Sequence, residues 1–297
     1  MSNQQTSGYF FAFGAALALS SSFIFSKSAL NHVSMVQFGA VWFTLGVCWN
    51  GAWYFGRKKY RGFKTDTRKK LLVALLIAIL EGVATGLFYM AIRAMENPAV
   101  VSFIGNIGPV FVTIMGITLL RERFKGAQLA GILITIAGVF ALNFREGAFR
   151  GFTDPGAMYV IIASFFFALA TIAGRKYKEY LEPELMSLIR TILLAIVFVF
   201  LILITGQQLQ FPGYVWRDLA LGSLFETLLT IVFAYQALKR IEATSTSLII
   251  SSKAVWTLIL AWIFLKVFPS GIQLLGGAMT LVGIYLITWR PRNRIRE

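Results

Sequence analysis

The chain has 297 residues, of which 57% are apolar and only 14% charged, with a formal net charge of +15. A soluble globular chain runs at roughly 45–50% apolar and roughly 25% charged, so a soluble enzyme, a disordered chain and a nucleic-acid binder are all excluded. The single cysteine, Cys48, excludes a disulfide framework and a thiolate zinc site.

A spanning helix needs about 20 mostly apolar residues. Ten such windows follow one another at 8–30, 35–56, 71–95, 98–120, 126–144, 155–175, 183–206, 218–240, 244–266 and 270–290. The first lacks a basic leader and a small-residue cleavage site, and is read as a retained span. Pro98, Pro155 and Pro183 open the fourth, sixth and seventh, where a first helical turn tolerates proline. Only Pro109 falls inside a window. It denies the fourth span one amide and leaves a carbonyl to be satisfied by protein or water, as a packing kink or as a hinge. Runs such as Leu71–Leu80 are continuously apolar, so helices and not barrel strands are the expected backbone. The expected fold is therefore an all-α membrane protein with ten transmembrane helices.

With the N-terminus placed inside, 20 of the 28 Lys and Arg residues fall in the inside segments, at 57–70, 121–125, 175–178, 239–240 and 290–296. Five fall outside: Arg93, Arg145, Arg150, Arg217 and Lys266. This bias predicts that both termini are cytoplasmic, and it accounts for the positive charge without an anionic partner. A compact chain without a targeting peptide is expected in a bacterial inner membrane.

The two halves resemble each other. Gly126–Gly131 (GAQLAG) is answered by Gly271–Gly276 (GIQLLG), and Gly138 by Gly283. Glu81, Thr85 and Phe88 are answered by Glu226, Thr230 and Phe233; Tyr89, Ala91 and Glu96 by Tyr235, Ala237 and Glu242. Residues 1–145 and 146–297 thus form two five-helix repeats. Five is odd, so the second repeat enters the membrane inverted, an arrangement common among secondary transporters, with the substrate held near the midplane between repeats. Gly131 with Gly138, and Gly276 with Gly283, present small faces suited to close helix contact, within a monomer or in a homodimer.

Several stretches carry a resemblance to a known family. SSFIFSKSAL closes the first span with Lys27; LLRERFKGAQLAGILITIAGVFAL links spans four and five and includes Glu122; GRKY and SLIR carry Arg175 and Arg190. Together with the paired five-helix repeats, they resemble the drug/metabolite transporter superfamily, in the branch built from two EamA domains. The resemblance covers nearly the whole chain and implies a ten-helix metabolite transporter, with no statement about substrate. Ser251–Trp256 (SSKAVW) and Phe264–Phe268 (FLKVF) depart from the usual second-repeat motifs, and the arginine often seen in span two is replaced near Trp42.

Charges at mid-bilayer cost about 2.5–3.5 kcal/mol each and so mark function or pairing. Glu81, Glu226, Asn106 and Lys253 fall near mid-span, and pseudo-symmetry would gather them around one cavity. Glu81 and Glu226 could exchange protons with a gradient; Lys253 could hold a substrate carboxylate or phosphate, or form a structural ion pair with one acid. Ser252 accompanies Lys253. Trp256, three residues on, shares its helix face and could stack on a substrate. Tyr89 and Tyr235, two turns past the acids, could line the path or pack the core. Lys27 could bind substrate or snorkel at the outer end of its span, and Arg190 could reach the inner surface. His32 has no partner cluster, so no metal and no cofactor are expected. There is no phosphate loop, dinucleotide fingerprint or nucleophile elbow.

The resulting expectation is a secondary active transporter of a small organic metabolite, in exchange for protons and in the export direction. Two mid-span acids against one lysine suit a zwitterion such as an amino acid. The alternatives are an exchanger of phosphorylated metabolites or nucleotide sugars and, further off, a lipid flippase. The expected partners are the small-molecule substrate and the bilayer, with no nucleic acid.

Overall fold

The computed structural model describes residues 3–56, 67–120, 126–142, 144–145, 148–149, 155–177, 183–238, 240 and 249–288. Ten helical spans follow the expected order. The first three are Asn3–Leu30, Met35–Gly56 and Thr67–Ala94. Span four runs from Pro98 to Leu120 in two helical pieces, and span five is Gly126–Leu142. A two-residue hairpin pairs Phe144 with Phe149 between the repeats. Spans six and seven are Pro155–Lys176 and Pro183–Thr205. Span eight runs from Gly213 to Leu238, starting five residues before its expected edge because Pro212 delivers an extended chain directly to it. Span nine is described from Ile249 and span ten is Gly271–Thr288.

Local chemistry sets the helix ends. Ser34 and Gln37 form a reciprocal capping box at span two: the Gln37 amide donates to Ser34 Oγ at 3.1 Å and the Ser34 amide to Gln37 Oε1 at 2.8 Å. Ser270 and Gln273 repeat the arrangement at span ten. Asn97 accepts the Ala99 amide, and Pro98 occupies the first turn of span four. Span seven stops at Gly206, whose φ of 63° is a left-handed turn open to glycine.

Five described helices are long and apolar enough on their own to cross a membrane: spans one, three, four, six and seven. Spans five, nine and ten contribute shorter apolar helices, Leu129–Val139, Ile249–Leu265 and Gly271–Leu286. Leu71, Leu72, Leu76, Ile196, Phe200 and Leu203 point outward from spans three and seven, an apolar surface that suits lipid and not water.

The tightest packing joins the repeats. Span five packs on span ten, and span two on span seven. Span three packs on span six, and span one on span eight. Exchanging the repeats maps this set of pairs onto itself. Spans five and ten meet through the four glycines: a Cβ on Gly138 would lie 2.7 Å from the Gly276 carbonyl oxygen, and one on Gly283 would lie 2.7 Å from that of Gly131. These small faces are therefore used within one chain.

Candidate functional site

Two polar features interrupt this apolar interior. The first lies where spans two, three, seven and eight meet. Span eight widens into a π-helical turn over Leu224–Leu229, and Thr230 Oγ1 donates to the Phe225 carbonyl at 2.8 Å. Such turns inside α-helices are frequent at functional sites, and this one carries Glu226. Arg190 of span seven donates from Nη2 to Glu226 Oε1 at 2.8 Å, with both side chains about nine-tenths buried. Trp42 of span two, fully buried, donates from Nε1 to Glu226 Oε2 at 3.3 Å. Arg190 Nη1 reaches Thr85 Oγ1 on span three at 3.4 Å, and its Nε has no partner among the described residues.

Glu81 precedes Thr85 by one turn on the same face of span three. It interacts electrostatically with Arg190 and Glu226. Tyr89, one further turn on, is packed among Phe38, Trp42 and Phe43, with ring centroids 4.9, 5.4 and 6.3 Å away. The internal repeat thus brings its two equivalent acids to one place.

The second feature is a pair of helix breaks at repeat-related positions. Span four loses its α-helical bonding over Gly105–Ile107, a 3₁₀ turn in which the Gly108 amide bonds the Gly105 carbonyl. Pro109 has no amide to offer that carbonyl, so the tighter turn satisfies it. Asn106 lies in this break, buried, with Nδ2 unpartnered among the described residues, as is Ser102 Oγ one turn earlier. Span nine breaks at Ser252, whose amide bonds the Ile249 carbonyl at 3.1 Å while Val255 bonds Ser252 at 2.9 Å, both at a spacing of three. Lys253 begins the next helical piece. Its carbonyl accepts from Ser20 and Thr257, each at 2.8 Å. No hydrogen bond or ion pair to its amine is found among the described residues. Trp256 packs edge-on against Phe13 at 4.9 Å. The Ser252 hydroxyl is spent on the Ile249 carbonyl at 2.6 Å.

The four mid-span residues therefore fall into two groups. Glu226 is paired with Arg190 and Glu81 acts electrostatically on both, while Asn106 and Lys253 sit at the helix breaks, and no ion pair between Lys253 and an acid is found among the described residues. From sequence, Arg190 could have reached the inner surface; the structure buries it against Glu226, so that the acid is not left as a lone charge in a low-dielectric interior. The sequence carried only an indirect signal: two mid-span acids faced a single mid-span base, so one acid lacked a counter-charge.

Lys27 does not snorkel. Its amine donates to the carbonyls of Met95 at 2.7 Å and Arg93 at 3.2 Å, capping the end of span three where the helix dipole favours a cation. His32 meets the ring of Tyr214 edge-on at 5.3 Å. The side chains of Pro109, Tyr235 and Arg175, and the whole of Glu122, lie outside the described residues.

Comparison with known proteins agrees with this architecture. The model of the EamA-like transporter family matches residues 6–144 and again residues 154–289. An uncharacterized transporter of Archaeoglobus fulgidus is 26% identical over 276 residues, covering 90% of this chain and 92% of that protein. Uncharacterized transporters of Methanothermobacter thermautotrophicus and a Synechocystis strain are 25% and 26% identical over 76% and 74% of this chain. The chain spans just under two thirds of their length, 66% in each case. A solved crystal structure superposes with a TM-score of 0.68 at 17% identity, covering 95% of this chain and 96% of that one, which speaks to the fold alone.

Proposed function

Because the chain belongs to the EamA-like transporter family, whose repeat it carries twice, we propose that it moves a small zwitterionic organic metabolite, an amino acid or a related compound, across a bacterial inner membrane by alternating access, exporting it in exchange for protons. The observation that carries this reading is the pair of breaks in spans four and nine at repeat-related positions. Interrupted spans in corresponding positions of two halves are where transporters of inverted architecture hold their substrates. The Lys253 amine offers a counter-charge to a carboxylate. Asn106 offers an amide whose donors are not spent, and Trp256 offers an aromatic face three residues from the amine.

The coupling reading rests on the other group. Glu81, Glu226 and Arg190 carry one net negative charge when both acids are ionised and none when one is protonated. Spans three and eight belong to opposite repeats, so a proton taken up here acts on their relative position. Cytoplasmic termini follow from the distribution of Lys and Arg among the connecting segments. An exchanger of phosphorylated metabolites would need a second cavity base, and the other interior bases among the described residues already face partners: Lys27 two carbonyls and Arg190 the Glu226 carboxylate.

The test is thermal unfolding of the purified chain against amino acids, nucleotides, sugar phosphates, cations and aromatic compounds at two pH values. A ligand of the folded state at 100 times its Kd stabilises by about 2.7 kcal/mol. Stabilisation by zwitterions, lost in Lys253→Ala, is the expected result, followed by counterflow of the same compound in proteoliposomes. Stabilisation only by phosphorylated compounds, or only by lipid, refutes the zwitterion reading.

A further inference from the structure

The two repeat-related acids do not have equivalent surroundings. Glu226 receives two donors, Arg190 Nη2 at 2.8 Å and Trp42 Nε1 at 3.3 Å. Glu81 receives none from the described residues, although it interacts electrostatically with Arg190 and Glu226. Arg190 is not saturated either. A guanidinium carries five N–H donors; here Nε has no described partner, and Nη1 has only the 3.4 Å contact to Thr85, one turn from Glu81. The position that would supply a matching base in the first repeat, 145 residues earlier, is Leu45. One cation therefore serves two equivalent acids, and the second acid has spare donors beside it.

We propose that Arg190 is a mobile counter-ion that transmits the protonation state of Glu81 to Glu226. With Glu81 protonated, Arg190 is bound to Glu226 alone, the arrangement in the structure. When Glu81 releases its proton to water, the guanidinium turns its unspent donors to the new carboxylate. It then bridges span three of the first repeat to spans seven and eight of the second. The inference rests on the reading of Glu81 and Glu226 as the coupling acids, and adds which of them carries the proton and which residue passes the change on.

The groups around the switch are few. Spans two, three and eight enclose span seven, and Glu226, Glu81 and Tyr89 are the ones that act electrostatically on the guanidinium. Cys48, Tyr54, Arg93, Tyr214, Arg217 and Asp218 are the remaining titratable or charged side chains described in those spans, and Arg217 is paired with Asp218 at 2.8 Å. Behind span three, span one brings Tyr9 and Lys27, the latter held by two carbonyls, and span six brings Tyr159, with Tyr177 one residue past its end.

The experiment is pH-difference infrared spectroscopy of the full chain in lipid, reading the C=O stretch of protonated carboxyl groups. It needs no substrate. The expected result is one titrating interior carboxyl. Its signal is lost completely in Glu81→Gln. It survives in Glu226→Gln with a displaced midpoint, because Arg190 then has Glu81 as its only carboxyl partner. In Arg190→Gln a second carboxyl joins the titration. Loss of the signal in Glu226→Gln with survival in Glu81→Gln overturns the proposal, as does the absence of any titrating interior carboxyl or an unchanged spectrum in Arg190→Gln. Should Arg190→Gln not fold, the two glutamate variants decide alone. The transport reading fails separately: a chain that carries no metabolite still gives the expected spectra, and one coupled to another ion carries metabolite with no titrating carboxyl.

Discussion

Adding one methyl group to Gly283 tests the crossing of spans five and ten. The new Cβ would lie 2.7 Å from the carbonyl oxygen of Gly131 and 2.7 Å from the amide nitrogen of Thr135. Both are backbone atoms of a continuous helix, so no rotamer change relieves the contact. Ordinary van der Waals contact begins about 0.7 Å further out, so the helices must part by roughly that distance. A gap of 0.5–1 Å forfeits about a quarter to a half of each dispersion contact along the interface. Between membrane helices such packing is a main source of attraction, since lipid tails solvate apolar surface as well as leucine does. Overpacking of this kind costs about 1–3 kcal/mol. Gly138→Ala should cost a similar amount, because its Cβ would meet the Gly276 carbonyl oxygen at 2.7 Å and the Thr280 amide nitrogen at 2.9 Å. Gly86→Ala in span three is the control: nothing lies within 4 Å of its Cβ, so reduced backbone entropy in the unfolded chain should stabilise it by about 0.4–1 kcal/mol. The assay is denaturant unfolding in mixed micelles. If Gly283→Ala unfolds at the same denaturant concentration as Gly86→Ala, the close crossing is wrong.

Other substitutions separate the two polar features. Arg190→Leu leaves Glu226 buried without its charge partner and should cost about 3–5 kcal/mol. Arg190→Leu combined with Glu226→Gln should cost less than the sum of the single changes, which a double-mutant cycle in the same unfolding assay measures. Lys27→Met removes the cation from two carbonyls at the end of span three and should cost about 1–2 kcal/mol, read by the same unfolding; an unchanged midpoint refutes the capping role. Lys253→Ala should unfold no earlier than the unmodified chain, because no described partner loses a bond, while its ligand-induced stabilisation disappears; a large loss of intrinsic stability would mean the amine is structural.

Composition and hydropathy were enough to place ten spans, because the bilayer has a set thickness and every buried backbone group must find a partner within its own helix. Proline positions marked the starts of spans four, six and seven, since proline is tolerated where the first amides have no helical partner. The repeated Gly126–Gly131 and Gly271–Gly276 stretches and the matched acids were enough to show two inverted halves. The partners of the interior charges were decided by tertiary structure alone. Glu226, Arg190 and Trp42 lie on three different spans, separated by 36 residues in one case and 184 in another. Their meeting depends on how those helices rotate about their axes and on the π turn that carries Glu226, and no local pattern encodes either. For the same reason Lys253 could be seen as a mid-span charge from its position, while its separation from both acids emerged only once span nine was packed against spans one and four.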